Sequence, residues 1–177
     1  MQPMLGGRCV RTLTMFAIAV LALGACGGDS KAATPPRPRQ TTTTTTPVDT
    51  AIVDGAIDNV VDALKVLNHL NVTSVPDLLA QFQVATGDLR AATATLEHGV
   101  SGVPDSAIEP NIAALTSMAA SLDAAVGCFR SVSPLDPAPC SSTSSLVGER
   151  ATAAGTAMAK LIPYGTRSST EVVALIN

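Results

Sequence analysis

Tryptophan is absent from this 177-residue chain, and Phe16, Phe82, Phe129 and Tyr164 are its only aromatic residues. Charged side chains make up 14%, against about 25% in an ordinary soluble domain, and the net charge is -3. With no basic excess to neutralise phosphates, the chain is not expected to bind nucleic acid. The sequence has no P-loop, no G-x-S-x-G, no H-E-x-x-H and no dinucleotide fingerprint. His69 and His98 are the only imidazoles, and no motif places either one to activate a serine. Neither lies in the Glu-x-x-His pattern of di-iron bundles. An enzyme is therefore not expected, and neither is a metal or a cofactor. What is abundant is apolar and small: 46% of residues are hydrophobic, in a length that suits one domain.

Arg8 and Arg11 precede an apolar stretch from Leu13 to Leu23. A charged start followed by a short apolar run is the pattern of a secretory signal, and the run is too short to span a bilayer, which takes about 20 apolar residues. It ends in Leu23-Gly24-Ala25-Cys26, with Gly27-Gly28-Asp29 following. Beyond it, Pro35-Pro36-Arg37-Pro38-Arg39 and the threonines Thr41 to Thr46 close on Pro47. Such a stretch cannot bury a core. At about 3.1 Å per residue it reads as a tether of roughly 60 Å, either a bare spacer or an O-glycosylated stalk. Lys31, Arg37 and Arg39 against Asp29 leave the tether positive, which favours anionic lipid headgroups.

Leu23 to Cys26 resembles the lipobox of bacterial lipoproteins, and the Thr/Ala-rich, Lys-poor N-terminal segment is similar in style to those of mycobacteria and related actinobacteria. Gly24 stands where Ala or Ser is more usual. The resemblance covers the signal and tether only. It implies cleavage before Cys26 and a diacylglyceryl group, with further acylation such as palmitate, on the Cys26 thiol. The expected location is then the extracytoplasmic face of the cell membrane, held by lipid alone. Each buried CH₂ contributes about 0.8 kcal/mol, so two or three acyl chains anchor a soluble domain durably. The expected organisation is a signal peptide over 1–25, a lipidated Cys26 and tether over 26–47, and a folded domain over 48–177.

In that domain the apolar residues recur at spacings of three and four. Val53, Ile57, Val60, Leu64 and Leu67 mark a helix over about 48–70, and Leu78, Phe82, Ala85, Leu89, Ala92 and Leu96 one over 75–98. Ile108, Ile112, Leu115, Ala119, Leu122, Val126 and Phe129 mark a third over 104–130, and Val147, Ala151, Ala154, Met158 and Leu161 a fourth over 144–162. Short connections predict an all-α, antiparallel up-down four-helix bundle. Ser74 before Asp77 reads as a capping box with Asp in place of Glu, and Ser168 before Glu171 opens a short C-terminal helix. Pro76 and Pro104 suit first turns, and Gly99 and Gly102 suit a helix exit.

Alanines along the seams bury little area, so a covalent staple is valuable. In an exported chain, with Cys9 discarded and Cys26 lipidated, two thiols remain, and Cys128 and Cys140 bracket the connection between helices 3 and 4. A disulfide there is the default, since the spacing is not CxxC.

His69 and His98 fall near helix C-termini at opposite ends of the bundle, where they suit caps and cannot share a metal. Asp54, Asp58 and Asp62 lie at i, i+4 and i+8 on one helical face. They form either a solvated surface or a docking strip for a basic partner, in a domain with 13 acidic and six basic side chains. The expected function is that of a non-catalytic, lipid-anchored interaction or scaffold module for another envelope protein. The alternative is a carrier or sensor of a hydrophobic small molecule, a lipid, held between the helices.

Overall fold

The computed structural model describes residues 46–70, 73–132 and 138–177, so the signal, Cys26 and most of the tether lie outside the described residues. Among the described residues the fold is all-helical, with five α-helices and no strand: α1 Thr50–Asn68, α2 Val75–Glu97, α3 Asp105–Ser131, α4 Ser141–Met158 and α5 Ser169–Ile176. The first four pack in chain order, α1 on α2, α2 on α3 and α3 on α4, while α1 touches α4 and carries α5 along its side.

The apolar stripes explain this packing. Val53, Ile57, Val60 and Leu64 of α1, Leu89 and Leu96 of α2, and Leu115, Met118 and Leu122 of α3 are buried in one core. Each such side chain contributes about 1.5–3 kcal/mol on burial. Ala56, Ala63, Ala85, Ala92, Ala125 and Ala154 fill the seams between them. Helix α3 is long and apolar enough to cross a membrane by length and composition. Here it packs against both α2 and α4 and supplies side chains to the core.

Contacts between helix ends fix how neighbours meet. The Asp49 N–H, just before α1, donates to the Ser101 carbonyl just after α2 at 3.3 Å. Phe82 in the first half of α2 meets Phe129 near the end of α3, with ring centroids 6.4 Å apart and the planes tilted by 54°, a favourable aromatic geometry. Asn111, early in α3, donates from its amide to the Ala157 carbonyl at the end of α4 at 2.8 Å.

The caps follow the sequence closely. Ser74 caps α2 by accepting from the Asp77 N–H at 3.3 Å, and its hydroxyl donates to the Asp77 carboxylate at 2.6 Å. Thr73 donates to the same carboxylate. Ser168 and Glu171 form both halves of a capping box on α5. Pro104 is the N-cap of α3, one position before the first turn. Gly99 and Gly102 both have positive φ in the α2–α3 turn. A Cβ on Gly102 would come within 2.8 Å of the Thr46 carbonyl oxygen and 2.9 Å of Val48, so the segment that enters the domain lies directly on this turn.

Helix α4 departs from expectation in its bounds. It starts at Ser141 and ends at Met158, earlier at both ends than the 144–162 read from the apolar spacing. The serines after Cys140 are already helical, and the Ser144 and Ser145 hydroxyls donate back to carbonyls four residues earlier. After Met158 the chain tightens: Leu161 is buried just before a short 3-10 turn, Ile162–Tyr164, which contains Pro163 and buries Ile162. Helix α4 has few large apolar residues and is pinned to α3 at both ends. The Cys128–Cys140 disulfide, with Cα atoms 5.9 Å apart, holds its start, and Asn111 holds its end.

Candidate surface sites

The three aspartates of the α1 face do not share one environment. Asp54 accepts from the Thr166 N–H at 2.9 Å and from the Thr166 hydroxyl at 2.6 Å. The approach is close because residue 165 is glycine: a Cβ there would collide with the Asp54 carboxylate. Asp58 pairs with Arg167 at 2.6 Å, both side chains being partly exposed. These two carboxylates thus hold the segment that leads into α5. Asp62 is exposed. Partial burial, and secondarily the negative charge of Asp62, push the Asp88 carboxyl above its ordinary range. The partners of Asp54 and Asp58 in the 165–167 segment are more than 100 residues away in sequence, and no local pattern announces them.

The imidazoles sit where the sequence places them. His98 is the C-cap of α2 and is exposed. His69 is the C-cap of α1, and its side chain reaches across to α5. Nδ1 lies 3.1 Å from the Lys65 carbonyl oxygen and Nε2 lies 3.0 Å from the Asn177 oxygen. Beside it the Asn68 amide donates to the Ile176 carbonyl at 3.2 Å. Residues 165–177 are therefore clasped to α1 at both ends by polar contacts, and Val172 and Ile176 are buried between them.

Away from α1 the same helix leaves an opening. A groove of about 50 Å³ runs between α4 and α5 with Leu64 of α1 also lining it. Ala151, Gly155 and Ala159 form one wall at four-residue spacing, and Val172, Val173 and Ile176 form the other. Gly155 does not mark a close helix approach, since a Cβ there would meet nothing within 4 Å. Val173 and Leu175 stay 37% and 40% exposed beside it. Sequence reasoning assigned Ala151 to the core, yet it is only half-buried, and the groove was not foreseen. Its signal was present in the small residues of α4 facing an apolar C-terminal helix.

One further polar group is deep inside. Asn111 is fully buried, and its amide nitrogen also donates to the Ala107 carbonyl at 2.8 Å, while its side-chain oxygen has no hydrogen-bond partner. Among the described residues, no group of three or more His, Cys, Asp or Glu side chains gathers as a metal site would require. No protein-family model matches the chain, and neither a curated protein nor a solved structure matches it.

Proposed function

We propose that this chain is a lipid-anchored protein of the extracytoplasmic membrane face, held by Cys26. Its helical domain works by binding another envelope protein rather than by catalysis. We read the domain as an antiparallel up-down four-helix bundle with α5 as an added wall. The end-to-end contacts between successive helices support that topology.

The observation that carries the interaction reading is the groove between α4 and α5. It is apolar, open at the surface and bordered by exposed Val173 and Leu175. At about 50 Å³ it is far smaller than the roughly 300–1,000 Å³ of ligand pockets. A lipid chain does not fit such a space, whereas the tip of an anchoring side chain from a protein partner does. The Asp54–Asp58–Asp62 face contributes less to partner binding than its charge count suggests. Two of its carboxylates are engaged with Thr166 and Arg167, which leaves Asp62 as the exposed charge of the strip.

The lipid-carrier reading is favoured by one observation, the open space above Gly155. It requires α5 to move away from α4. A photo-crosslinker at Val173, in cells that make the lipidated protein, separates the two. A discrete protein adduct that is lost on Gly155→Leu supports the interaction reading. An adduct to lipid supports the carrier, and the absence of any adduct overturns the groove as the working surface.

A further inference from the structure

Helix α5 differs from the other four in how little holds it. It buries two side chains, Val172 and Ile176, whereas α1 buries seven. At eight residues it is shorter than the roughly 12–15 that an isolated helix needs, so it is helical only where it is seated. Its seat is the seam between α1 and α4, lined by Leu64, Met158 and Ile162. It rests mainly on α1 and stands off from α4, which leaves the groove between them. The polar contacts lie at the two ends of this seat and give it a direction. At the start, Asp54 accepts from Thr166 and Asp58 pairs with the Arg167 guanidinium. At the end, the Asn68 amide donates to the Ile176 carbonyl, one of those a helix leaves without a partner at its C-terminus. Such surface contacts contribute little energy, yet they set register.

We propose that the seam between α1 and α4 is a helix-binding cleft whose resident occupant is residues 165–177, and that this strap opens without the rest of the bundle to admit an amphipathic helix from a protein partner. The resident defines the chemistry of that partner. It is a helix of about two turns, with apolar residues four apart as Val172 and Ile176 are, and with a cation ahead of it as Arg167 is. The cation meets Asp58, the apolar pair covers Leu64, Met158 and Ile162, and the last carbonyls meet Asn68. Elements that move on binding come from the least stable end of a fold, and the two buried side chains of α5 place it there. Opening swings residues 165–177 from the 3-10 turn Ile162–Tyr164, which stays with the core through buried Ile162. While the strap is seated the partner binds only the open fraction of chains, and its apparent affinity falls by that fraction. The strap is thus an intramolecular competitor. This holds whether or not the groove itself captures a partner's side chain.

A labelled synthetic peptide with the sequence of residues 165–177, titrated against the full chain, tests this. The wild-type chain, its cleft filled, should bind the peptide weakly. The full chain carrying Val172→Ala and Ile176→Ala, its own strap loosened, should bind it more tightly by about tenfold or more. A peptide with the same two changes should not bind. Asp58→Lys in the loosened chain should weaken capture, because attraction for Arg167 becomes repulsion. Equal affinity of the two chains, or binding that ignores the peptide's apolar pair or Asp58, overturns the proposal. Should the double variant fail to fold, Arg167→Glu loosens the strap from the surface and is read in the same way. Hydrogen exchange of the wild-type chain checks the opening itself. Amides of residues 172–177 that exchange faster than those of α1 and α3 by about tenfold or more, corrected for intrinsic rates, support a strap that opens alone, and exchange at the rate of the core overturns it.

Discussion

Asn111 shows how one buried side chain can be worth keeping without being fully satisfied. Its nitrogen ties α3 to α4, yet the two carbonyls it serves do not depend on it. The Ala157 carbonyl also accepts the Lys160 N–H at 2.9 Å, and the Ala107 carbonyl lies inside a regular helix. Asn111→Ala removes the tie and leaves a void, and should cost about 1–3 kcal/mol in denaturant unfolding. Asn111→Leu, similar in volume, buries no unpaired oxygen and should recover most of that loss. If Leu proves as costly as Ala, the hydrogen bond rather than the packing holds the two helices. The sequence did not mark this residue, because a polar side chain on an apolar stripe carries no sign of whether a partner waits across the interface. The same limit hid Thr166 and Arg167 as partners of Asp54 and Asp58.

The two glycines of the α2–α3 turn were visible as a helix exit, but not their difference. Both have positive φ, where an L side chain costs roughly 1–2 kcal/mol. At Gly99 a Cβ meets open space, whereas at Gly102 it meets the backbone of Thr46 and Val48. Gly99→Ala should therefore show the strain alone. Gly102→Ala should be the more destabilising in thermal unfolding, and should also expose residues 46–48 to protease.

At the scale of the element, caps were the most legible features and the ends of α4 the least. Ser74 and Ser168 are local signals, readable three residues ahead of their carboxylates, and the structure forms both caps. Helix α4 begins and ends earlier than its apolar spacing suggests, because its few large apolar residues define its ends weakly, although Val147, Ala154 and Met158 of the expected face are buried. The caps carry a pH dependence of their own. The Glu171 carboxyl is held below its ordinary range, first by the Ser168 N–H and then by the Ser168 hydroxyl, and Asp77 is held low by the Ser74 and Thr73 hydroxyls. A lowered folded-state pKa gives stability that is present above the unfolded value and lost as pH falls through the folded one. These caps should weaken as pH falls below the ordinary carboxylate range. Exchange protection in α5 should thus fall on acidification as Glu171 protonates. Protection in α5 that is unchanged on acidification would contradict the Glu171 assignment. Asp88, pushed up by burial, has the opposite sign to the caps, and Asp88→Asn should raise stability slightly at neutral pH.

For the molecule as a whole, the helix count, the core stripes and the disulfide were readable because each rests on spacing within a short window. The docking of residues 165–177 against α1 was not, since it joins groups more than 100 positions apart. The disulfide is the main staple of a domain whose seams are largely alanine. Closing a loop with a sequence separation of 12 is worth about 3 kcal/mol in the chain-entropy account. Cys128→Ser with Cys140→Ser should lower stability by about that amount. Exchange should rise first at the start of α4, where Asn111 cannot compensate.

The central claim is a lipid-held domain that acts through its surface, and one measurement addresses both halves of it. Native mass spectrometry of the chain purified from its own membrane, with the disulfide intact, reads the covalent and the noncovalent mass together. The account predicts a polypeptide that begins at Cys26, carries covalent diacylglyceryl and acyl groups, and holds no further small molecule. A chain without covalent lipid, or one that releases a reproducible lipid-sized ligand, would contradict it.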